Sequence, residues 1–407
     1  MRILYHHRTR STDAQRIHIR EIVRALQNLG HEVEIISLVP LDTAEQNAAR
    51  DAGDPFWKKW VRRIPYSYEL VQLAYNLAGI PMLVAAMLHG RRAAFIYERY
   101  SLFNFTGVIA ARLFGVPLIL EVNSPFALEQ SRDREIRADG LARWSERFIC
   151  SHATQVIAVS TPLARILASS GVPASRITVM PNGVAMEDFQ PGSADMALSR
   201  QLGLDGCTVI GFVGWFRDWH GLDLLLRSFH EGELSRRNAK LMLIGDGPAM
   251  PGLQAYVRDH QLEQAVVFTG PIPHADVPRY LDLIDIAVQP AANEYCCPMK
   301  ILEYMALGKA IVAPRQENIQ ELLREHEEAE FFTPGDLQSM QTALREVTSE
   351  PAKSKELGAR ARAAIFDRGH LWSTNARRVV ALAKPCSPAI STECVQREDA
   401  ARPPAGL

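Results

Sequence analysis

Short apolar runs of strand character alternate with stretches whose apolar residues fall at helical spacing, and the alternation runs through the chain twice. "RILY" (2–5) is followed by the polar turn "HHRTRSTD". A helix then carries Ile19, Ile22, Val23, Leu26 and Leu29 on one face and stops at Gly30. "HEVEIIS" (31–37) is the next strand. A strand, helix, strand unit demands parallel pairing with a crossover. "AFIY" (94–97), "VPLILEV" (116–122), "QVIAVS" (155–160) and "RITVMP" (176–181) continue the pattern, which completes one doubly wound domain by about residue 183. After the turn-rich "NGVAMEDFQPGSAD" (182–195) it starts afresh. "CTVIGFVGWF", "KLMLIGDG", "AVVFTG", "IDIAVQP", "KAIVAP" and "AEFFTP" are the strands of a second domain.

The expected fold class is therefore α/β, with two Rossmann-like parallel-sheet domains over residues 1–183 and 184–369. Two such domains in tandem face each other across a cleft lined by the C-terminal ends of both sheets. A last helix covers 370–384, and the polar, proline-rich stretch 385–407 has the composition of a disordered tail. The 407 residues suffice for both domains, and a net charge of −1 gives no footprint for nucleic acid. Six cysteines lack a CxxC or Cys/His spacing, which points away from a disulfide framework or zinc site and toward a reducing cytoplasm. "MRILYHHRTR" lacks the apolar core of a signal peptide, and the run "LAGIPMLVAAML" (77–88) reads as too short and interrupted to span a bilayer.

Several loops after strands carry candidate chemistry. "GDGPAM" (245–250) opens like a dinucleotide fingerprint, but Met250 stands at the third glycine, and no P-loop occurs. Gly245 then serves either a tight turn whose amides approach a phosphate or a turn with no ligand. "VGWFRDWHG" (213–221) delivers Arg217 and His220 after Gly214; the guanidinium suits a diphosphate, and the imidazole adds a donor if protonated. The competing reading is a solvated loop. No Asp-x-Asp metal pair and no G-x-S-x-G elbow is present. Glu98 and Glu121 close strands of the first domain, where each either meets a substrate or ties down loops. Cys296 and Cys297 read as small buried side chains. In "CCPMKILEYMALG" (296–308), Pro298 suits a first helical position and Gly308 a stop. Lys300 and Glu303 interrupt the apolar face, either as a surface ion pair or as ligand groups. "FWKKWVRRIPYSY" (56–68) sets four basic residues among aromatics, as an interfacial helix on anionic lipid does, or a domain helix with a basic outer face.

The linked series "VIAVSTPLARILASSGVPASRITVMPNGV", "IGFVGWFRDWHGLDLLLRSF", "LMLIGDGP", "VVFTGPIPHADVPRYLDLIDIAVQP" and "CCPMKILEYMALGKAIVA" resembles the retaining GT-B glycosyltransferases of family 4, and within them a subgroup with an "SP-x-K" helix. The resemblance implies an acceptor-binding first domain, a second domain for a nucleotide-diphosphate sugar, a final helix returning to the first domain, and no cofactor or metal. It implies further that Glu303, the second glutamate of an E-x7-E motif, binds ribose, and that Arg217 and His220 meet the diphosphate. Backbone near Ile272 would meet the base, and Cys297, Pro298, Met299 and Lys300 the sugar and phosphate. Asp13 lies in the turn that replaces a glycine-rich loop, and Asn123 lies near a first-domain histidine of the family. Tyr295 stands where the motif has its first glutamate, with Glu294 one residue away. Partners would be the nucleotide sugar and a sugar or lipid-linked acceptor, in surface polysaccharide or glycolipid assembly, with peripheral membrane contact through 56–68. A sugar-nucleotide epimerase of the same fold and a non-catalytic partner subunit are the alternatives.

Overall fold

The computed structural model describes residues 1–9, 14–39, 66–132, 136–192 and 194–384. In the first half β1 (Arg2–His6), α1 (Ala14–Asn28), β2 (Glu32–Ile36), α2 (Ser67–Leu88), β3 (Phe95–Arg99), α3 (Thr106–Phe114), β4 (Leu118–Val122), α4 (Phe126–Arg132), α5 (Asp139–His152), β5 (Gln155–Ala158), α6 (Thr161–Ser169) and β6 (Ile177–Val179) follow one another. The second half comprises α7 (Met196–Gln201), β7 (Thr208–Val213), α8 (Leu222–Glu231), β8 (Ala239–Ile244), α9 (Met250–Asp259), β9 (Val266–Gly270), α10 (Val277–Leu281), β10 (Ile286–Val288), α11 (Met299–Ala306), β11 (Ala310–Pro314), α12 (Glu317–Gln320), β12 (Glu330–Phe332), α13 (Leu337–Ser349), α14 (Pro351–Arg368) and α15 (Trp372–Leu382).

Both sheets are wholly parallel, ordered β2-β1-β3-β4-β5-β6 and β12-β11-β10-β7-β8-β9. Helices cover the faces of each sheet, which is why β1, β3, β4 and β11 are buried along their whole length and are mainly apolar. The strand order reverses between β1 and β3 in the first sheet and between β7 and β10 in the second. Crevices at such switch points are where open sheets take ligands.

Between the domains the chain crosses twice, side by side. Val184 donates its N–H to His370 O at 3.1 Å, and Val184 and Leu371 form an isolated parallel bridge. A Cβ on Gly183 would lie 2.4 Å from the Trp372 nitrogen, so this crossing is tight. The final helix α15 then packs on α1, sending Trp372, Ala376 and Val379 into the core that holds Ile3, Tyr5, Ile19 and Leu26.

Two expectations change. Pro298 precedes α11 with an extended backbone (φ −69°, ψ 108°) instead of taking its first helical position. The apolar run 77–88 belongs to α2, a single 22-residue helix with an 18-residue window of mean hydropathy 1.6, long and apolar enough to cross a membrane by length and composition. Pro81 leaves the Leu77 carbonyl without its usual helical donor, yet the helix runs on through it. Gly79 allows a close approach to α3, since a Cβ there would stand 2.7 Å from Thr106 Oγ1. The tail 385–407, Asp13 and the basic aromatic stretch 56–65 lie outside the described residues.

Candidate active site

At the C-terminal edge of the second sheet three loops meet. The one after β7 runs from Gly214 to Gly221, the one after β8 holds Gly245 and Gly247, and the one after β10 leads into α11. The first two touch backbone to backbone. A Cβ on Gly245 would lie 2.0 Å from Gly214 O, and one on Gly247 2.4 Å from Phe216 O, so side chains are excluded at both positions. Phe216 N–H donates to Asp246 O at 2.7 Å, and Ala249 N–H to Phe216 O at 3.1 Å. The turn read from "GDGPAM" is thus built to hold two loops close. Val213 N–H donates to the Tyr304 hydroxyl at 3.1 Å, fixing the end of β7 to α11.

Lys300, in the first turn of α11, reaches under these loops. Its Nζ lies 4.7 Å from the Phe212 ring centroid and 3.2 Å from where a Gly214 Cβ would be. Burial pulls its amine down to about 8 against the pull of Glu303. Glu303, one turn on, is half-buried, and burial pushes its carboxyl up to about 7. The two influence each other through space without forming an ion pair within 4 Å. The surface-pair reading therefore fails: both charges are held partly out of water with no partner in each other.

His220 was expected to add a donor only if protonated. Burial first, then the neighbouring Lys300 and Arg217, lower its pKa to about 3, so the imidazole is neutral at pH 7. Its Nδ1 is buried without a hydrogen-bond partner, facing a site already rich in cations. Arg217 is half-buried, with its guanidinium carbon 5.0 Å from the Trp219 ring centroid. Ile272 is half-buried in the loop after β9 and packs on the apolar core. Met299 packs against the first-domain core around Trp372 and Met180.

The segment 295–297 faces the first domain instead of the ligand space alone. Tyr295 is buried, its hydroxyl donates to Glu129 of α4, and its carbonyl accepts from Ser160 Oγ at 2.7 Å. The Cys297 carbonyl accepts from Asn182 Nδ2 at 2.9 Å, and its thiol, pushed up to about 12 by burial, accepts from Asn182 N–H at 3.3 Å. Tyr295 and Cys297 therefore fasten the two domains together.

Across the cleft the acceptor-side expectations are only partly met. Glu98 does not face the cleft: it is fully buried, with Oε2 2.6 Å from His6 Nδ1 and Oε1 without a partner. Beyond it the His6 ring contacts the Tyr75 hydroxyl at 3.3 Å. Asn123 is half-buried, and its amide donates to Glu121 Oε1 at 2.5 Å. Glu121 also accepts from Arg99 at 2.9 Å and from the Tyr97 hydroxyl at 2.6 Å. These carboxylates brace the ends of β3 and β4. Ser160, Asn182, Glu129 and His6 were not singled out by sequence; only the doubled histidine at the end of the first strand hinted at any of them.

Residues 14–183 match the glycosyl transferase 4-like domain and residues 207–350 match the glycosyl transferases group 1 family. Each domain thus matches a glycosyltransferase domain of its own. The GT-B fold follows from the likeness to HepE of Anabaena, solved with UDP, which superposes with a TM-score of 0.69 at 19% identity over 94% of this chain and 99% of that one. Among curated proteins, the alpha-D-kanosaminyltransferase of Streptomyces kanamyceticus is 24% identical over 61% of this chain and 65% of its own length. A GDP-mannose-dependent alpha-(1-6)-phosphatidylinositol monomannoside mannosyltransferase of Mycolicibacterium smegmatis is 24% identical over 60% and 65%. The chain thus matches just under two thirds of the length of these relatives.

Proposed function

We propose that this GT-B chain is a glycosyltransferase that moves a sugar from a nucleoside-diphosphate sugar to an acceptor hydroxyl, with retention at the anomeric carbon and without a metal. The observation that carries this reading is the pair of uncompensated charges on α11, beside the side-chain-free loops at Gly214 and Gly245. The diphosphate sits at Lys300 and the amides of the adjoining loops, where preorganised donors meet the charge that develops on the leaving group. Arg217 adds a second cation. His220, neutral in the empty site, gains a proton as the diphosphate arrives and offers Nδ1 to a phosphate oxygen. Glu303 accepts from the ribose hydroxyls. The names of the relatives support the donor class: one structure holds UDP and one relative depends on GDP-mannose.

The acceptor on this reading is a sugar or a lipid-linked sugar used in surface polysaccharide or glycolipid assembly, met at the cytoplasmic face of a membrane. What favours a lipid surface is an apolar face on the first domain. Leu70, Leu77 and Leu88 of α2, Ile109 and Leu113 of α3, and Trp144 of α5 are all more than 40% exposed. Helix α2 packs on α3, and the ring of Phe105, just before α3, lies 6.0 Å from that of Trp144, centroid to centroid. The basic stretch before α2 adds Lys58, Lys59, Arg62 and Arg63, charges that anionic headgroups attract.

Thermal shift against uridine, guanosine and adenosine diphosphates, followed by turnover of the matching sugar nucleotides with and without chelator, tests the proposal. Stabilisation by one diphosphate and chelator-resistant transfer are expected. Absence of binding by all three would remove the reading, chelator-sensitive transfer would remove its metal independence, and donor conversion without acceptor would make the chain an epimerase.

A further inference from the structure

The second domain ends its β10 loop on a tyrosine whose hydroxyl is committed across the cleft. Tyr295 donates to Glu129 Oε1, and these residues are 166 positions apart in sequence. The contact is held firmly from both sides. A second bond crosses beside it, Ser160 Oγ donating to Tyr295 O at 2.7 Å, and within the second domain Asn318 Nδ2 donates to Cys296 O at 2.7 Å and to Asn293 O at 3.0 Å. On the first domain, α4 is anchored by Glu146, which accepts from Ala127 N–H at 3.1 Å and from the Tyr100 hydroxyl at 3.1 Å.

Only one of the two Glu129 oxygens is engaged by Tyr295. The carboxylate is half-buried, and its partner Tyr295 stands five positions before Lys300 in the loop that leads to the proposed diphosphate site. The Cys296 thiol, next to Tyr295 in that loop, is under the electrostatic influence of both Lys300 and Glu129. A sugar esterified to a diphosphate at Lys300 extends out of the second domain toward the first. Sugar hydroxyls are recognised by ionised carboxylates, which accept strong charge-assisted bonds.

We propose that Glu129, presented by Tyr295, is a donor-sugar-binding residue: a first-domain carboxylate that accepts hydrogen bonds from hydroxyls of the transferred sugar once the domains are closed. The second domain has a phenol at position 295 and so lends its own carboxylate nothing there; the acid comes from the opposite wall. A consequence is that nucleotide recognition and sugar recognition belong to different domains. The nucleotide binds the second domain alone, whereas the sugar is read only when the Tyr295–Glu129 contact is made.

This inference rests on the donor reading above, and the test separates the two. Affinities for the nucleoside diphosphate and for its sugar ester are measured on the wild-type chain and on Glu129→Gln, which keeps size and one acceptor oxygen. The sugar ester should bind Glu129→Gln about tenfold more weakly, with diphosphate affinity within twofold of wild type. Tyr295→Phe should shift the same way by a smaller factor. The double variant Glu129→Ala with Tyr295→Glu, which moves the acid to the second domain, should recover sugar-ester affinity relative to Glu129→Ala alone. Equal affinity of Glu129→Gln and wild type for the sugar ester, or an equal loss for diphosphate and sugar ester, would overturn the assignment. If the wild-type chain bound no diphosphate, the donor reading itself would be the one to fail.

Discussion

Changing Glu303 to Gln should move stability and ligand affinity in opposite directions. Burial raises the carboxyl from 4.5 to about 7, so folding favours its neutral form. The sign follows directly: below pH 4.5 the group costs nothing, the penalty grows between 4.5 and about 7, and above about 7 it is complete. A displacement of that size corresponds to about 3 kcal/mol. Attraction to Lys300 is already included in it, because Lys300 lowers the carboxyl pKa against the larger effect of burial. Gln is neutral at every pH and of the same shape, so at pH 8 the empty Glu303→Gln protein should melt several degrees higher than wild type. At pH 5 the gain should shrink to about 1 kcal/mol. Diphosphate binding should weaken at the same time, because a charge-assisted bond to ribose is worth about 1.5–3 kcal/mol, or tenfold and more in affinity. Melting curves at pH 5 and pH 8, with titration of the diphosphate on the same samples, provide the measurement. A fall in Tm at pH 8 would mean that Lys300 and Glu303 stabilise each other after all, and unchanged affinity would mean that α11 carries no ligand group.

Lys300→Met should likewise raise the melting temperature of the empty protein at pH 6, since an amine lowered to about 8 is ionised there at a cost; calorimetry together with a loss of diphosphate binding of tenfold or more checks it. Gly245→Ala, with φ +128° and a backbone oxygen 2.0 Å from the new Cβ, should abolish diphosphate binding and lower Tm. Gly252→Ala in α9 meets nothing within 4 Å and should stabilise by up to about 1 kcal/mol, measured by urea denaturation. Co-sedimentation with anionic vesicles should fall as salt rises, and should fall further in a Leu77→Glu, Trp144→Glu double variant; equal binding by that variant would remove the lipid-facing assignment.

Strand positions were legible because a parallel sheet covered on both faces writes itself as apolar runs, and each of the twelve described strands falls inside or within two residues of such a run. Helix α2 was misjudged because Gly79 and Pro81 read locally as interruptions. Gly79 serves a tertiary contact, the close approach of Thr106, that local pattern does not show. In the site, the residue types at 217, 300 and 303 were legible, but their charge states were not. Sequence left the protonation of His220 open, and its burial beside Lys300 and Phe212, which no local pattern encodes, makes it neutral in the empty site. The pairs His6–Glu98 and Glu129–Tyr295 join residues 92 and 166 positions apart, and single-residue pattern carries no information about such partners.

The doubled crossing at Val184 and Leu371 makes the second domain an insertion within the first. The first domain's core is incomplete until Trp372, Ala376 and Val379 of α15 cover the apolar face of α1. On the ribosome, Ile19, Ile22 and Leu26 must therefore wait for nearly the whole chain to be made, while the second domain has all its strands by Phe332 and can close earlier. The part synthesised first is the part that finishes last. Because the two crossing strands lie 3.1 Å apart, donor to acceptor, the same geometry offers a shortcut: joining residue 183 directly to residue 371 would remove the inserted domain and let the first close on its own helix.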